Sequence, residues 1–197
     1  MSVYQCLNLV VKFNEFEIMK NETKWSIDPA HTEIAFKVKH LMISNVKGVF
    51  REFDASIYTT GDDFSSAKID FWMNPSSIDT GEKKRDDHLK SADFFDVEKF
   101  GKITFVSDSL EKSGEDNIYN LFGNLIIKGI TNRIKLDVEF GGTIKDPWGN
   151  ERVGFSLNGK INRKDWGLNW NTVLDEGGLM VSDEVRIICE VELLKQK

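Results

Sequence analysis

Residues 133–140, RIKLDVEF, alternate without a fault: Ile134, Leu136, Val138 and Phe140 lie in one phase, Lys135, Asp137 and Glu139 in the other. A period of two places successive side chains on opposite faces, so this stretch reads as a half-buried β-strand. The pattern recurs along the chain. IAFKVKH (34–40) sets Ile34, Phe36, Val38 and His40 on one face. VKGVFREFDASI (46–57) carries Val46, Gly48 and Phe50, then slips by one to Phe53, Ala55 and Ile57, as a β-bulge near Arg51 and Glu52 would require. Further strands are expected in AKIDFWM (67–73), KITFV (102–106), YNLFGNLII (119–127), VGFSLNGKI (153–161) and VRIICEVEL (185–193), about eight in all.

Turn signals separate these runs: TTGDD (59–63), KSGEDN (112–117), KGITN (128–132) and DPWGN (146–150). Short connections between one-sided strands favour an antiparallel meander. Two stretches break the period. Asp79 to Lys90 reads as a helix start, with Asp79 and Glu82 spaced as a capping box. NRKDWGLNWN (162–171) reads as a loop or one helical turn, with Arg163 and Asp165 expected to pair.

Eight one-sided strands hide their edges by closing into a barrel, wide enough for packed side chains or one small ligand. A sandwich is the competing architecture. The inward phases hold Gly48, Gly123 and Gly159, expected to leave space, and many of the 14 phenylalanines. Phenylalanine walls suit an apolar chain and lack acid–base chemistry, yet the same rings could simply fill a core.

The chain has 197 residues, 40% of them apolar and 29% charged, with a net charge of −6. That composition fits one soluble domain and works against nucleic acid as a partner. No apolar run reaches the roughly 18 residues of a membrane span, so stable membrane insertion is not expected. Residues 1–22 lack the pattern of a secretory signal, and Met19 offers a second start. They are read as an N-terminal extension, disordered or a start-site artefact, before a domain at 23–197. The cytoplasm is the expected compartment, with the periplasm following if the start differs. Cys6 and Cys189 form no CxxC or Cys/His cluster. His31, His40 and His88 lack metal-ligand spacing, and no metal is expected.

Three motifs are specific in order and spacing: HTEIAFKVKHL (31–41), RDDHLKSADFFD (85–96) and GNLIIKG (123–129). Together with INRKDWGLN (161–169) and VSDEVRIICEVEL (181–193), they make the chain resemble the YceI-like family, lipocalin-like proteins that bind polyisoprenoids. The resemblance implies an all-β fold, an eight-stranded antiparallel barrel with a short helical segment near 80–96. It also implies an elongated apolar ligand, commonly a polyprenyl chain, held without catalysis and with no other cofactor. A homodimer is plausible on the same ground.

The residues expected against such a ligand follow the inward phases. They are Phe36, Val38 and His40 from the first run, Phe50 and Phe53 from the second, Phe71 and Met73 from the third. Phe105, Leu125, Ile127, Leu136, Phe155 and Leu157 come from the later strands, and Trp166 from the loop. Leu89, Phe94 and Phe95 would sit at one end, with Arg85, Asp86 and His88 as a polar rim or, with Asp87, as salt bridges anchoring the helix. A hydrolase or isomerase acting on a lipid is the alternative, with Asp86 and His88 as a conceivable dyad, though GxSxG, HExxH and Gly-rich phosphate motifs are missing. A lipid-responsive stress or interaction protein is a third reading.

Overall fold

The computed structural model describes residues 22–173 and 179–196. Its first two strands, β1 (Glu22–Ile27) and β2 (Glu33–His40), share one strand position interrupted by a turn at 28–32. Both pair with the last strand, β11 (Val181–Lys195): Ile27 faces Leu193 and Ile34 faces Cys189. A hairpin at 41–43 returns the chain as β3 (Ser44–Phe50) and β4 (Phe53–Thr60), β3 against β2 and β4 against β1. The third position is split likewise into β5 (Asp63–Met73) and β6 (Ile78–Asp79). A helix, α1 (Lys83–Lys90), intervenes before four long strands, β7 (Ile103–Lys112), β8 (Ile118–Ile127), β9 (Ile130–Lys145) and β10 (Glu151–Asn162), which lead by hairpins into β11. The β1–β11 pairing closes the sheet. Counting each split strand as one position gives an eight-stranded, antiparallel, up-and-down barrel. Closure satisfies the backbone groups that an edge would leave bare.

The expected fold class is therefore present, with four local corrections. The slip at Arg51 and Glu52 is a break, not a bulge: β3 stops, β4 begins, and the chain changes neighbours from β2 to β1. The hydroxyl of Ser77 accepts the backbone N–H of both corner residues, at 3.1 and 3.0 Å. The helix is capped by Glu82 alone, whose carboxylate accepts the N–H groups of Lys84 and Arg85. Asp79 instead lies in β6 and pairs with Arg51 at 2.9 Å. Arg163 does not pair with Asp165 but lies 3.5 Å from Asp183. β1, which periodicity passed over, supplies the closing edge. The expectation of a disordered extension falls outside the described residues except at Glu22, which opens β1.

The two barrel ends differ. One gathers the tight hairpins after β4, β7 and β9. There Trp25, wholly buried, meets Phe64 at 5.0 Å between ring centres, and Phe64 meets Phe155 at 5.1 Å. Phe140 closes the cluster 5.5 Å from Phe155. Offset aromatic contacts of this kind fill volume and hold orientation together. Trp25 Nε1–H donates to Thr59 Oγ1 at 2.9 Å, so even its polar atom is satisfied. The other end gathers the 41–43 hairpin, α1 and the turn after β10.

Candidate functional site: the barrel cavity

Between those ends the barrel is hollow. A cavity of about 260 Å³ runs along the axis. Every side chain on its wall is apolar except Arg163. The wall extends from Ile57 and Leu193 beside the aromatic cluster to Val38, Val181 and Leu89 at the helix end. At the first end Trp25, Phe64, Phe140 and Phe155 pack together, and Phe64 and Phe155 of that cluster line the cavity's end.

Most of the expected wall residues are on it. Phe36 and Val38 of β2, Phe50 of β3, Phe71 and Met73 of β5, Phe105 of β7, Leu125 and Ile127 of β8, Leu136 of β9, and Phe155 and Leu157 of β10 all face the space. Leu89, Phe94 and Phe95 line it at the helix end. Three expected residues are elsewhere. His40 ends β2 at the hairpin tip, beyond the sleeve. Phe53 stands at the corner where β3 and β4 part and packs on Phe71 at 6.4 Å. Trp166 is 2% exposed and lies behind the wall, its Nε1–H donated to the Leu125 carbonyl at 3.1 Å. Periodicity also under-used β11, which contributes Val181, Val185, Ile187, Cys189, Val191 and Leu193. The alternation of VRIICEVEL marks all of these but Val181.

The glycines do not leave open space. A Cβ built on Gly48 would meet the Phe36 ring at 2.4 Å, one on Gly123 the Phe105 ring at 2.4 Å, and one on Gly159 the Leu136 side chain at 2.4 Å. Each glycine seats a large neighbour flat against the wall. The bore stays open because those side chains lie sideways rather than across it.

The polar residues near the helix end are committed to holding shape. Arg85 donates from Nε to Thr80 Oγ1 at 2.7 Å and from Nη2 to the Thr80 carbonyl at 2.9 Å. Asp86 accepts from the N–H and hydroxyl of the same threonine. Thr80, not an Arg–Asp salt bridge, anchors α1; Asp87 pairs outward with Lys83. His88 contacts Asp93 at 3.0 Å, with Phe94 and Trp170 edge-on to its ring. Asp86 and His88 thus have separate partners and form no dyad, as expected for helix positions two apart. Arg163 turns its guanidinium away from the bore. It donates to the carbonyls of Leu168, Trp170 (2.8 Å) and Ser182 (3.0 Å), clipping the turn after β10 to the start of β11. Burial holds its pKa below the usual arginine value.

Cys189 is the one nucleophile on the wall, and burial pushes its thiol up to about 11. So little thiolate forms at neutral pH that it serves as an apolar wall group. Among the described residues one carboxylate–histidine cluster has metal-like spacing. Asp28, His31 and Glu192 approach one another near the 28–32 turn, but Arg152 already supplies the cation, donating to Asp28 at 2.6 Å, to Glu192 and to Asp146. Hydrogen bonds from His31 and Arg152 hold Asp28 at about 2, and the Arg152 contact holds Asp146 lower still.

Comparison with known proteins bears on this geometry. Residues 25–193 match the YceI-like domain. A UPF0312 protein of Staphylococcus aureus (strain MSSA476) is 42% identical over 171 residues, 86% of this chain and 96% of the relative. The crystal structure of a Campylobacter jejuni YCEI protein superposes with a TM-score of 0.68 at 36% identity, covering 86% of this chain and 96% of that one. A polyisoprenoid binding domain from Saccharophagus degradans, implicated in plant cell wall breakdown, shares the fold at a TM-score of 0.62 and 13% identity, over 86% of this chain and 97% of that one.

Proposed function

The chain belongs to the YceI-like family, and we propose that it is a non-catalytic carrier holding a polyisoprenoid, or a similar long amphiphilic lipid, along the barrel axis. The observation that carries this reading is the bore whose wall, among the described residues, is apolar throughout except for a guanidinium bonded to backbone carbonyls. An apolar chain gains there by leaving water, whereas a charged or strongly polar ligand would lose its hydration with nothing to replace it. The Saccharophagus domain, named for polyisoprenoid binding, is supporting context at the level of fold.

The polar head stays at the helix end. No charged group reaches the bore among the described residues, so selection acts on the hydrocarbon's length and width more than on the head. Among the described residues acid–base catalysis has no pair of groups on the wall to perform it, and Cys189 is held as a neutral thiol. The reading is tested by organic extraction of the purified protein and mass spectrometry. An intact prenyl or comparable lipid recovered at near-stoichiometric level is expected. A protein that emerges empty and takes up no added prenyl alcohol, or that converts added lipid to a product, refutes it.

A further inference from the structure

A lipid carrier must meet its lipid somewhere, and the outer surface beside the helix end joins exposed apolar side chains to a row of cations. The hairpin joining β2 to β3 ends in Leu41, Met42 and Ile43. Met42 is 55% and Ile43 85% exposed. Leu41 and Met42 both have positive φ, 50° and 58°, a conformation that disfavours side chains of this size. A solvent-facing turn normally uses glycine or asparagine there. This tip instead holds three large apolar side chains in a strained loop, tied by the Leu41 N–H to the Met180 carbonyl at 2.8 Å. Met180 in turn donates to Thr172, which brings exposed Val173 to the same end.

Beneath the tip lies a row of cations. Lys47 on β3 faces Lys37 on β2, Lys37 faces Arg186 on β11, and Arg186 faces Lys160 on β10. All four point outward on adjacent strands, spanning about 14 Å at the usual strand spacing. Like charges directly opposite one another are unfavourable in a sheet. Lys39 adds a fifth cation one outward position nearer the tip. Among the described residues two carboxylates answer within the row: Glu33 beside Lys47 at 2.6 Å, and Glu184 shared by Arg186 and Lys160 at 3.3 and 3.5 Å. Lys37 and Lys39 have no carboxylate partner among the described residues. Counted over the described residues, the patch is thus net positive on a chain whose net charge is −6. Lys37, Lys39, Arg186 and Met42 line one surface groove, so the apolar tip and the cations form a continuous face.

We propose that this face docks reversibly on an anionic phospholipid bilayer, with Met42 and Ile43 entering the headgroup layer and Lys37, Lys39 and Arg186 contacting lipid phosphates. The inference rests on the carrier reading for its purpose. Val38 and Val181, the wall residues at this end, adjoin the tip through β2 and the start of β11. A hydrocarbon passing between bilayer and bore at this place stays out of water. Charge complementarity selects an anionic membrane over a neutral one, and the small apolar tip makes attachment peripheral and reversible.

The test is co-sedimentation of the full-length protein with vesicles free of any prenyl lipid, made of phosphatidylcholine alone or of phosphatidylcholine with phosphatidylglycerol. Binding to the anionic vesicles only, weakening as salt rises, is expected. The double variant Lys37→Gln/Lys39→Gln should lower partitioning about 30-fold, at the usual gain per surface cation. Met42→Asp/Ile43→Asp should lower it at least tenfold. Both pairs lie off the cavity wall, so lipid retention should be unchanged and the fold kept, with thermal stability equal to the parent's or higher as charge repulsion and backbone strain are relieved. Equal binding to both vesicle types, no binding, or self-association of the protein with the vesicles left free would overturn the proposal; the last would make the tip a contact between two copies of this chain. Extraction of lipid from the same preparation keeps the two readings apart. Retained lipid without vesicle binding defeats docking alone. Vesicle binding by a protein with an empty bore supports docking and defeats the cargo.

Discussion

Lengthening the ligand one isoprene unit at a time measures the bore directly. Past the register shift that follows Val181, the regular wall on β11 runs from Val185 to Leu193. Eight residue steps at about 3.3 Å give roughly 26 Å along the strand, or about 20 Å along the axis of a barrel whose strands tilt about 40°. One extended isoprene repeat, four chain bonds, covers about 5 Å. About four repeats therefore fit. Each repeat buries five carbons, about 4 kcal/mol gross at 0.8 kcal/mol per methylene. Ordering the flexible chain takes back part of that, leaving at least about tenfold in affinity per repeat. Dissociation constants for prenyl alcohols of one to six repeats, measured by displacement of a fluorescent fatty probe, should fall steeply to about four repeats and then level. Leu157 faces Cys189, the midpoint of that run. Leu157→Trp should obstruct the bore halfway, level the series at about two repeats and weaken long chains by at least about 100-fold. Short chains entering from the helix end should be little affected. The overpacked variant should still fold, at a cost of about 1–3 kcal/mol checked by thermal melting. A flat series, or one that levels at the same length in the folded variant, would refute the geometry.

Other consequences are independent of the ligand. Trp25→Ala empties the aromatic cluster and should destabilise by about 3–5 kcal/mol, lowering the melting temperature by roughly 10 °C; a change within about 2 °C would show that the cluster is not packed as described. Cys189, at about 11 against an ordinary 9.0, forms about 100-fold less thiolate than a free thiol. In a Cys6→Ser background its reaction with a thiol reagent should be slower by at least that factor, and slower still with prenyl alcohol bound; free-thiol rates would contradict its burial. Asp28 has a folded pKa of about 2, below the ordinary 3.8, and Asp146 is depressed further. Their stabilisation is complete above the ordinary value and is lost as pH falls from about 4 through 2. The urea midpoint should drop over that window, and Arg152→Met should flatten the drop; a variant as acid-sensitive as the parent would remove Arg152 from that role.

Strand phase carried most of the wall, and the failures share one physical origin. Alternation reports which face a residue takes but not which strand lies beside it. A bulge and a break produce the same one-residue slip, so Arg51–Glu52 could not be resolved until β3 and β4 were seen to pair with different neighbours. β1 spans only Glu22–Ile27, and its Trp25 and Ile27 make too short a run to stand out from polar surroundings. His40 and Phe53 are in the correct phase but at strand ends, where the sleeve has already stopped. Trp166 needed a hydrogen-bond partner, and no local pattern announces that this partner is the carbonyl of Leu125, 41 residues away. The helix-end motif was legible as structure, yet its mechanism depends on Thr80, a residue with no conspicuous signal of its own.

The glycines show why a hollow barrel and a filled one look alike in one dimension. Gly48 faces Phe36 and Gly159 faces Leu136 across neighbouring strands. In isolation each glycine suggests a gap and each large partner suggests a plug, and the two inferences point in opposite directions. Register reconciles them: the large side chain occupies the missing Cβ of its neighbour, so its volume is absorbed by the wall. An alanine at Gly48 or Gly123 would collide with a ring at 2.4 Å and turn it toward the axis. At Gly123 the Val106 carbonyl, 2.5 Å away, closes the remaining escape. The open bore is thus a property of residue pairs, large against absent, set by which strands adjoin. Moving one glycine by two positions would unseat its large neighbour and narrow the bore at that level while the hydrophobic content stayed the same.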